Sequence, residues 1–166
     1  MDPYLAGALA AIDETVGDLP VEVIARRPND PSRWSIAQVL EHLTLAFRAN
    51  RAVFEKALAS GELRARRPTL KQRMLKALVV DVGHFPRATA PEMTRPSGGI
   101  PAEQSVAAIR SALEALDTTL AQVAARFGST ALAANHPYFG GMSVDHWRKF
   151  HWRHTLHHMK QAARLR

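Results

Sequence analysis

The sequence predicts an all-α fold, an antiparallel four-helix bundle with a short extra helix and a long Pro/Gly-rich loop between the second and third long helices. Four long segments repeat apolar residues at three- and four-residue steps, and helix-capping residues stand at their boundaries. No segment shows a convincing strand pattern. The 166 residues, 46% of them hydrophobic, fit a single domain over residues 1–166 with a substantial core.

The first long helix has a clear start. Asp2 followed by Pro3 is typical of an N-cap with proline in the first turn, and the alanine-rich segment that follows extends to Gly17. The next sixteen or so residues contain three prolines. We expect a connection there, with at most a short extended piece at residues 21–24.

The second long helix is predicted to begin after Ser35 and to end near Ser60, with Gly61 just beyond it. Pro68 can start the short extra helix. Residues 81–101 then contain four prolines and three glycines, which predicts a long loop. A loop of that length is usually functional or wraps the body of the domain.

Two more long helices complete the prediction. Pro101 with Glu103 opens the third long helix, which should end near Gly128. Ser143 is the predicted cap of the last helix, and Asp145 lies in its first turn, where the helix dipole favours an acid. The loop between these helices carries the sequence NHPYFGG.

The formal net charge of +7 raises the question of nucleic-acid binding. The basic residues are scattered, apart from one local group, the basic segment from Arg64 to Arg73. This segment lacks interleaved aromatic residues for base stacking, so we interpret it as a solvated connection. Nucleic-acid binding through it remains the minor alternative.

Histidine is the candidate metal ligand, because the sequence contains no cysteine. Five of the eight histidines lie between His146 and His158, and His154 stands four residues before His158. On a helix this spacing puts both rings on one face, about one turn apart. A third ligand must come from elsewhere, and His42 on the second helix is the candidate. Ordinary surface or core positions for these histidines stay the open alternative.

The other histidines have different predicted places. His151 shares the inward face of the last helix and should lie above or below the site. His157 should flank the site, and His146 should lie at the surface in the first turn. His84 and His136 fall in proline-rich loops, where a structural role is expected, although His136 could belong to a lid over the bundle mouth.

Two stretches carry a family resemblance, WSIAQVLEHL in the second helix and HPYFGGMSVDHWRKFHWRHTLHHMKQ at the end. Together they resemble the DinB/YfiT-like superfamily of metal-binding four-helix bundles, in particular a branch with an HPxFG loop before the last helix. The resemblance implies a divalent metal ion with His42, His154 and His158 as its ligands, and zinc or nickel would suit such imidazole ligands. His157 matches the extra histidine of the HxxHH pattern in that family.

The same resemblance implies a function. Several relatives resemble thiol-dependent S-transferases or isomerases that act with a low-molecular-weight thiol such as bacillithiol, mycothiol or glutathione. Three neutral histidines leave a metal its full positive charge and open positions, which can acidify a bound thiol or water. We therefore expect a metal-dependent S-transferase-like enzyme, or one acting on a small hydrolysable substrate. No general base stands out: Glu41 points about 100° away from His42 around the helix, while Tyr138 or His136 could approach from the loop.

The main alternative is a non-enzymatic stress or sensor protein in which the metal holds the helices together. The expected partner is a small-molecule substrate, with no membrane partner. The resemblance also implies a homodimer, for which Leu5, Leu9 and Leu156 are candidate surface residues, although they also fit an ordinary core. The acidic N-terminal segment, unlike a signal peptide, and the lack of a membrane-length apolar stretch predict a cytoplasmic protein.

Overall fold

The computed structural model describes residues 1–86 and 89–166 and is mainly helical. Its helices are α1 (Pro3–Val16), α2 (Val21–Ala25), α3 (Ile36–Ser60), α4 (Leu70–Lys76), α5 (Ala102–Phe127) and α6 (Val144–Ala163). Four of them are long, α1, α3, α5 and α6. The prediction of an all-α bundle with a short extra helix is confirmed.

Side chains cap three of the four long helices, α1, α3 and α6, where the sequence predicts it. The Asp2 carboxylate accepts a hydrogen bond from the Tyr4 backbone N–H at the start of α1. The Ser35 hydroxyl accepts one from the Gln38 N–H at the start of α3, and the Gln38 side chain returns the bond. At the start of α6, the Ser143 hydroxyl accepts a hydrogen bond from the His146 backbone N–H. These caps fix the ends of the helices that carry the candidate histidines.

The chain between α3 and α5 is mostly irregular. Thr69 caps α4, one residue after the predicted Pro68 start, and α4 continues into a π-helical turn over Ala77–Val82. A 3₁₀ turn follows at Glu92–Thr94. Residues 87 and 88 of the predicted loop lie outside the described part of the chain.

The four long helices form two pairs, α1 with α6 and α3 with α5, and the members of each pair run in the same direction. Arg148, early in α6, lies 3.5 Å from Asp2 at the start of α1, while Arg166 beyond α6 bonds the Glu14 carbonyl near the end of α1. Arg126 near the end of α5 donates to the Leu58 carbonyl near the end of α3. The ends therefore match within each pair.

The two pairs run antiparallel to each other. Phe54, late in α3, packs on Trp147, early in α6, whereas His42, early in α3, packs on His158, late in α6. Because α3 and α5 are parallel, the chain must return along the length of α3 before α5 can begin. For 25 residues this distance is about 37 Å, which explains the long loop in physical terms.

Two local predictions were wrong. Residues 21–24 form part of α2 rather than an extended piece, and Ile24 of this helix is buried in the core. An antiparallel hairpin, β1 (Leu132–His136) and β2 (Gly140–Ser143), stands where no strand was predicted. Apolar alternation is absent from this glycine- and alanine-rich stretch, so the sequence pattern gives no strand signal.

The hairpin is held from outside by the basic segment. The Gly141 N–H donates to the Arg66 carbonyl at 3.0 Å, and the Arg66 N–H donates to the Asn135 side chain at 2.8 Å. A side chain at position 141 would collide with the backbone of this segment, since its Cβ would lie 2.3 Å from the Arg66 oxygen. The hairpin thus forms through contacts between residues far apart in sequence.

The core lies between the two helix pairs. Leu5, predicted as a candidate surface residue for a dimer, is completely buried there, whereas Leu9 and Leu156 are partly buried. Leu5 is on the face of α1 that also buries Ile12 and Val16, which explains the correction. Within residues 1–86 and 89–166, none of the helices has the length and apolar character needed to cross a membrane.

Candidate metal centre

The structure brings together the three histidines that the sequence singles out. His42 lies in the second turn of α3, and His154 and His158 lie one turn apart on α6. The Nε2 atom of His154 is 3.4 Å from that of His42 and 3.0 Å from that of His158. The three ligand atoms lie within 4.8 Å of one another. We call these residues the histidine triad.

Hydrogen bonds orient two of the three rings. His42 Nδ1 donates to the Thr94 carbonyl at 2.8 Å, and since a carbonyl oxygen only accepts, Nδ1 carries the proton. His158 Nδ1 donates to the Gln161 side-chain oxygen at 2.8 Å, and the Gln161 amide donates to His157 Nε2 at 3.2 Å. In their neutral forms, His42 and His158 therefore point Nε2 lone pairs toward His154.

Aromatic rings enclose the triad. The Trp34 ring lies 5.1 Å from the His42 ring and stacks on His158 at 6.4 Å. His154 lies between Phe150 and Phe85, which stack on it with interplanar angles of 14° and 23°. These rings restrict the imidazole orientations and keep water away from part of the site.

Burial keeps the triad neutral. It lowers the pKa of His158 to about 3, with a smaller contribution from His42 in the same direction. It lowers the pKa of His154 well below the usual value, and neighbouring histidines lower it further. The pKa of His42 is also lowered by burial, although the Thr94 hydrogen bond opposes this shift. Neutral rings are the form that binds metal.

The donor set fits a divalent cation. If His42 and His158 both present lone pairs, a proton on His154 Nε2 can satisfy only one of them, because an N–H points in one direction. The other His154 nitrogen, Nδ1, is buried and has no hydrogen-bond partner among the described residues. A single cation among the three Nε2 atoms would satisfy all three lone pairs, and three imidazoles suit zinc or nickel.

An open cavity of about 930 Å³ lies against the triad. Its lining includes the three triad rings, apolar side chains of α4 and α6, and residues of the loop before α6. His136 and Tyr138 belong to that lining, and His136 stacks on Phe139 at 4.1 Å between ring centres. A small molecule could therefore reach the Nε2 atoms from this side.

The remaining predicted histidines occupy several environments. His157 flanks the triad, with its ring 5.0 Å from that of His158. His151 is fully buried one turn before His154, packed on Phe47 and Trp147. The prediction that His146 lies at the surface was wrong, because its ring bonds the Ser143 hydroxyl and the Lys76 amine and is partly buried.

Glu41 has a structural position that sequence reasoning did not reveal. It is 2% exposed, and its carboxylate accepts backbone hydrogen bonds from Gly98 at 2.8 Å, Gly99 at 2.9 Å and Ser97 at 3.3 Å. This fastens the end of the long loop to α3. The Thr94 carbonyl, which orients the neighbouring His42, belongs to the same loop.

Three supporting residues were missed for different reasons. Gln161 stands three residues after His158, so helical spacing could have indicated it. Trp34 directly precedes the Ser35 cap, and only its proximity to α3 hinted at a role. The Thr94 carbonyl had no signal, because any residue type supplies a backbone oxygen.

These features define a class of protein: a helical bundle in which three histidines from two helices converge beside an open cavity. The family model of the DinB superfamily matches residues 4–162. The chain therefore belongs to the DinB superfamily, as its sequence motifs suggested. No curated protein and no solved structure matched the chain.

We expect the Glu41→Gln substitution to loosen the loop. The amide keeps the size of the side chain but replaces charge-assisted acceptors with one neutral oxygen and an N–H group facing backbone donors. The free energy of unfolding should fall by about 1–3 kcal/mol, measured by urea denaturation, and cleavage near residues 95–101 by a protease should become faster. The control is Glu55→Gln, which removes an exposed ion pair with Arg51 and should change stability by at most about 0.5 kcal/mol. Equal stability of the two variants would contradict the role of Glu41.

His136 should make stability depend on pH. Burial lowers its pKa to about 4 in the folded chain, from 6.5 when unfolded. The unfolded chain therefore takes up the proton first, so stability is retained above pH 6.5 and falls as the pH drops toward 4, by at most about 1.4 kcal/mol per pH unit. In the presence of a metal chelator, the free energy of unfolding should fall less in the His136→Phe variant than in wild type between about pH 7 and about pH 5. A variant of the exposed His84 should retain the wild-type slope, and an unchanged slope in His136→Phe would show that His136 does not cause it.

Proposed function

We propose that the protein binds one divalent metal ion, zinc or nickel, through His42, His154 and His158. We further propose that it is a metal-dependent enzyme that acts with a low-molecular-weight thiol, in the manner of an S-transferase. The observation that carries the proposal is the convergence of three neutral Nε2 atoms beside an open cavity. When bound, the ion would supply positive charge and open coordination positions that acidify a thiol or a water molecule.

The residues around the triad have defined tasks in this proposal. Thr94 and Gln161 hold the rings of His42 and His158 by their Nδ1 protons, so that each Nε2 stays available. Trp34, Phe85 and Phe150 pack on the triad rings and shield them from water. Tyr138, half exposed in the cavity lining, is a candidate to contact a substrate from the loop.

The cavity lining favours thiol chemistry over hydrolysis. The described lining residues include no Asp or Glu, and burial lowers the pKa of the lining His136 to about 4, which makes this ring a weak general base toward water. A thiol has a pKa near 8.5 in solution and needs little help from a base once a cation lowers that value, whereas water starts near 15.7. Action on a small hydrolysable substrate therefore stands as the weaker form of the proposal.

A non-enzymatic role is the alternative, and one observation favours it. The triad joins α3 to α6, so a metal there would also tie the two helix pairs together. In a stress or sensor protein this stabilisation would be the whole purpose of the site. Metal binding alone does not separate the two functions, but reaction with a thiol does.

The first test measures metal content. Protein purified without an affinity tag should contain about one divalent ion per chain, and His158→Ala should lose it, because two histidines bind far more weakly than three. The matched control is His84→Ala, which changes an exposed histidine outside the triad. Elemental analysis gives the readout. Full metal content in His158→Ala would refute the proposed site.

The second test replaces the metal with cobalt, whose absorption reports directly on its ligands. Addition of 2-mercaptoethanol should produce a thiolate-to-cobalt charge-transfer band and release about one proton per site, since the bound thiol ionises. His42→Ala should show neither signal. If cobalt binds and raises the melting temperature while no thiol changes its spectrum, the non-enzymatic alternative replaces the thiol enzyme.

A further inference from the structure

The cavity has an uneven distribution of charge. Three of its described lining residues are arginines, Arg33, Arg95 and Arg164, and none is an aspartate or glutamate. The arginines come from three separate parts of the chain: the segment before α3, the long loop and the end of α6. Their convergence on one cavity is a property of the fold and is invisible in the sequence.

Two of the arginines directly neighbour residues that contact the triad. Arg33 precedes Trp34, which packs on the His42 ring, and Arg95 follows Thr94, whose carbonyl holds that ring. Arg164 follows α6 and lines the cavity together with His157, whose ring flanks the triad. The three arginines and the triad therefore line one and the same cavity.

These guanidinium groups are available to a ligand. All three arginines are exposed, and none forms a side-chain hydrogen bond or ion pair with the described part of the chain. The pKa of Asp30 is lowered mainly by hydrogen bonds from Ser32 and only to a smaller extent by the charge of Arg33. The Asp30 carboxylate accepts a hydrogen bond from the Ser32 hydroxyl at 2.7 Å and none from Arg33. By contrast, Arg110, Arg126 and Arg148, outside the cavity, are each bonded within the protein.

The rest of the cavity is mainly apolar. Leu75 and Val79 from α4 and its π-helical turn, Ala46 from α3 and Phe139 from the hairpin line it. A ligand that fills the cavity would therefore contact aliphatic and aromatic groups over most of its surface and the basic residues of the lining at its charged group. With a divalent cation in the triad, the potential at that end would become still more positive.

We propose that the ligand of this cavity is an anion: a small molecule with a carboxylate or phosphate group that pairs with Arg33, Arg95 and Arg164 and an apolar body that fills the remaining space. The inference rests on the proposed function, since it concerns the molecule that reaches the triad. The anionic group belongs either to the thiol or to the second substrate, and the two sources are separated below.

The first experiment, the thiol arm, measures the binding of three thiols to cobalt-loaded protein through the thiolate-to-cobalt charge-transfer band. The thiols are anionic 3-mercaptopropionate, neutral 2-mercaptoethanol and cationic cysteamine. The triple variant R33Q/R95Q/R164Q should bind 3-mercaptopropionate roughly tenfold more weakly than wild type, because each exposed arginine contributes about twofold. It should bind 2-mercaptoethanol as well as wild type does. The control variant R26Q/R27Q/K56Q removes the same charge from exposed residues outside the cavity and should behave as wild type.

The second-substrate arm uses 3-phenylpropionate and the amine 2-phenylethylamine, whose binding is followed through the tryptophan fluorescence of metal-free protein. If only 3-phenylpropionate binds, and binding weakens in the triple variant but not in the control variant, the anion belongs to the second substrate. A dependence on the arginines in the thiol arm alone assigns it to the thiol. Circular dichroism confirms that both variants are folded.

The proposal is overturned if the triple variant binds both anionic probes as tightly as wild type, or if cysteamine and 2-phenylethylamine bind as well as their acidic counterparts. Failure of the proposed function has a different signature. In that case cobalt does not bind stoichiometrically, or 2-mercaptoethanol produces no band, whereas the 3-phenylpropionate arm still reports on the arginines without any metal.

Discussion

The site depends on one constraint, the parallel direction of α3 and α5. Because both helices begin at the same end of the bundle, the chain must travel back along α3, and its return path crosses the turn that carries His42. There the Thr94 carbonyl accepts the His42 Nδ1 proton at 2.8 Å. A direct antiparallel connection would need only a few residues and would leave this ring without its partner.

Adjacent residues of α3 divide the work of holding that path. Glu41 binds the backbone of residues 97–99, and His42 binds the backbone of Thr94, so two successive side chains fasten two points of one loop. The two side chains point about 100° apart around the helix. Glu41 therefore reaches residues 97–99, whereas His42 bonds Thr94 and also faces α6. A displacement of the loop would therefore alter the orientation of the His42 ring even if no histidine were substituted.

The helices and the triad were predictable because their signals are local. Caps such as Ser35 and Ser143 are visible from a few neighbouring residues, and His154 and His158 need only helical spacing to share a face. His42 was predictable because the motif around it resembles a known superfamily. The hairpin and the Thr94 contact were not, since the first depends on Arg66 from far upstream and the second joins residues 52 positions apart. The partial burial of His146 likewise involves Lys76, a residue of another helix.

The buried acid next to the triad also helps to explain the charge of the cavity. Glu41 is the carboxylate nearest to His42 in sequence, and its oxygens are occupied by backbone N–H groups of the loop, so it offers no negative charge to the cavity. The same bonds hold the loop segment that carries Arg95, a residue of the cavity lining. The hydrogen bonds of Glu41 thus occupy the carboxylate beside the triad and also hold the segment that brings the basic residue Arg95 to the cavity. A site built this way attracts anions and leaves the histidine lone pairs without a competing carboxylate.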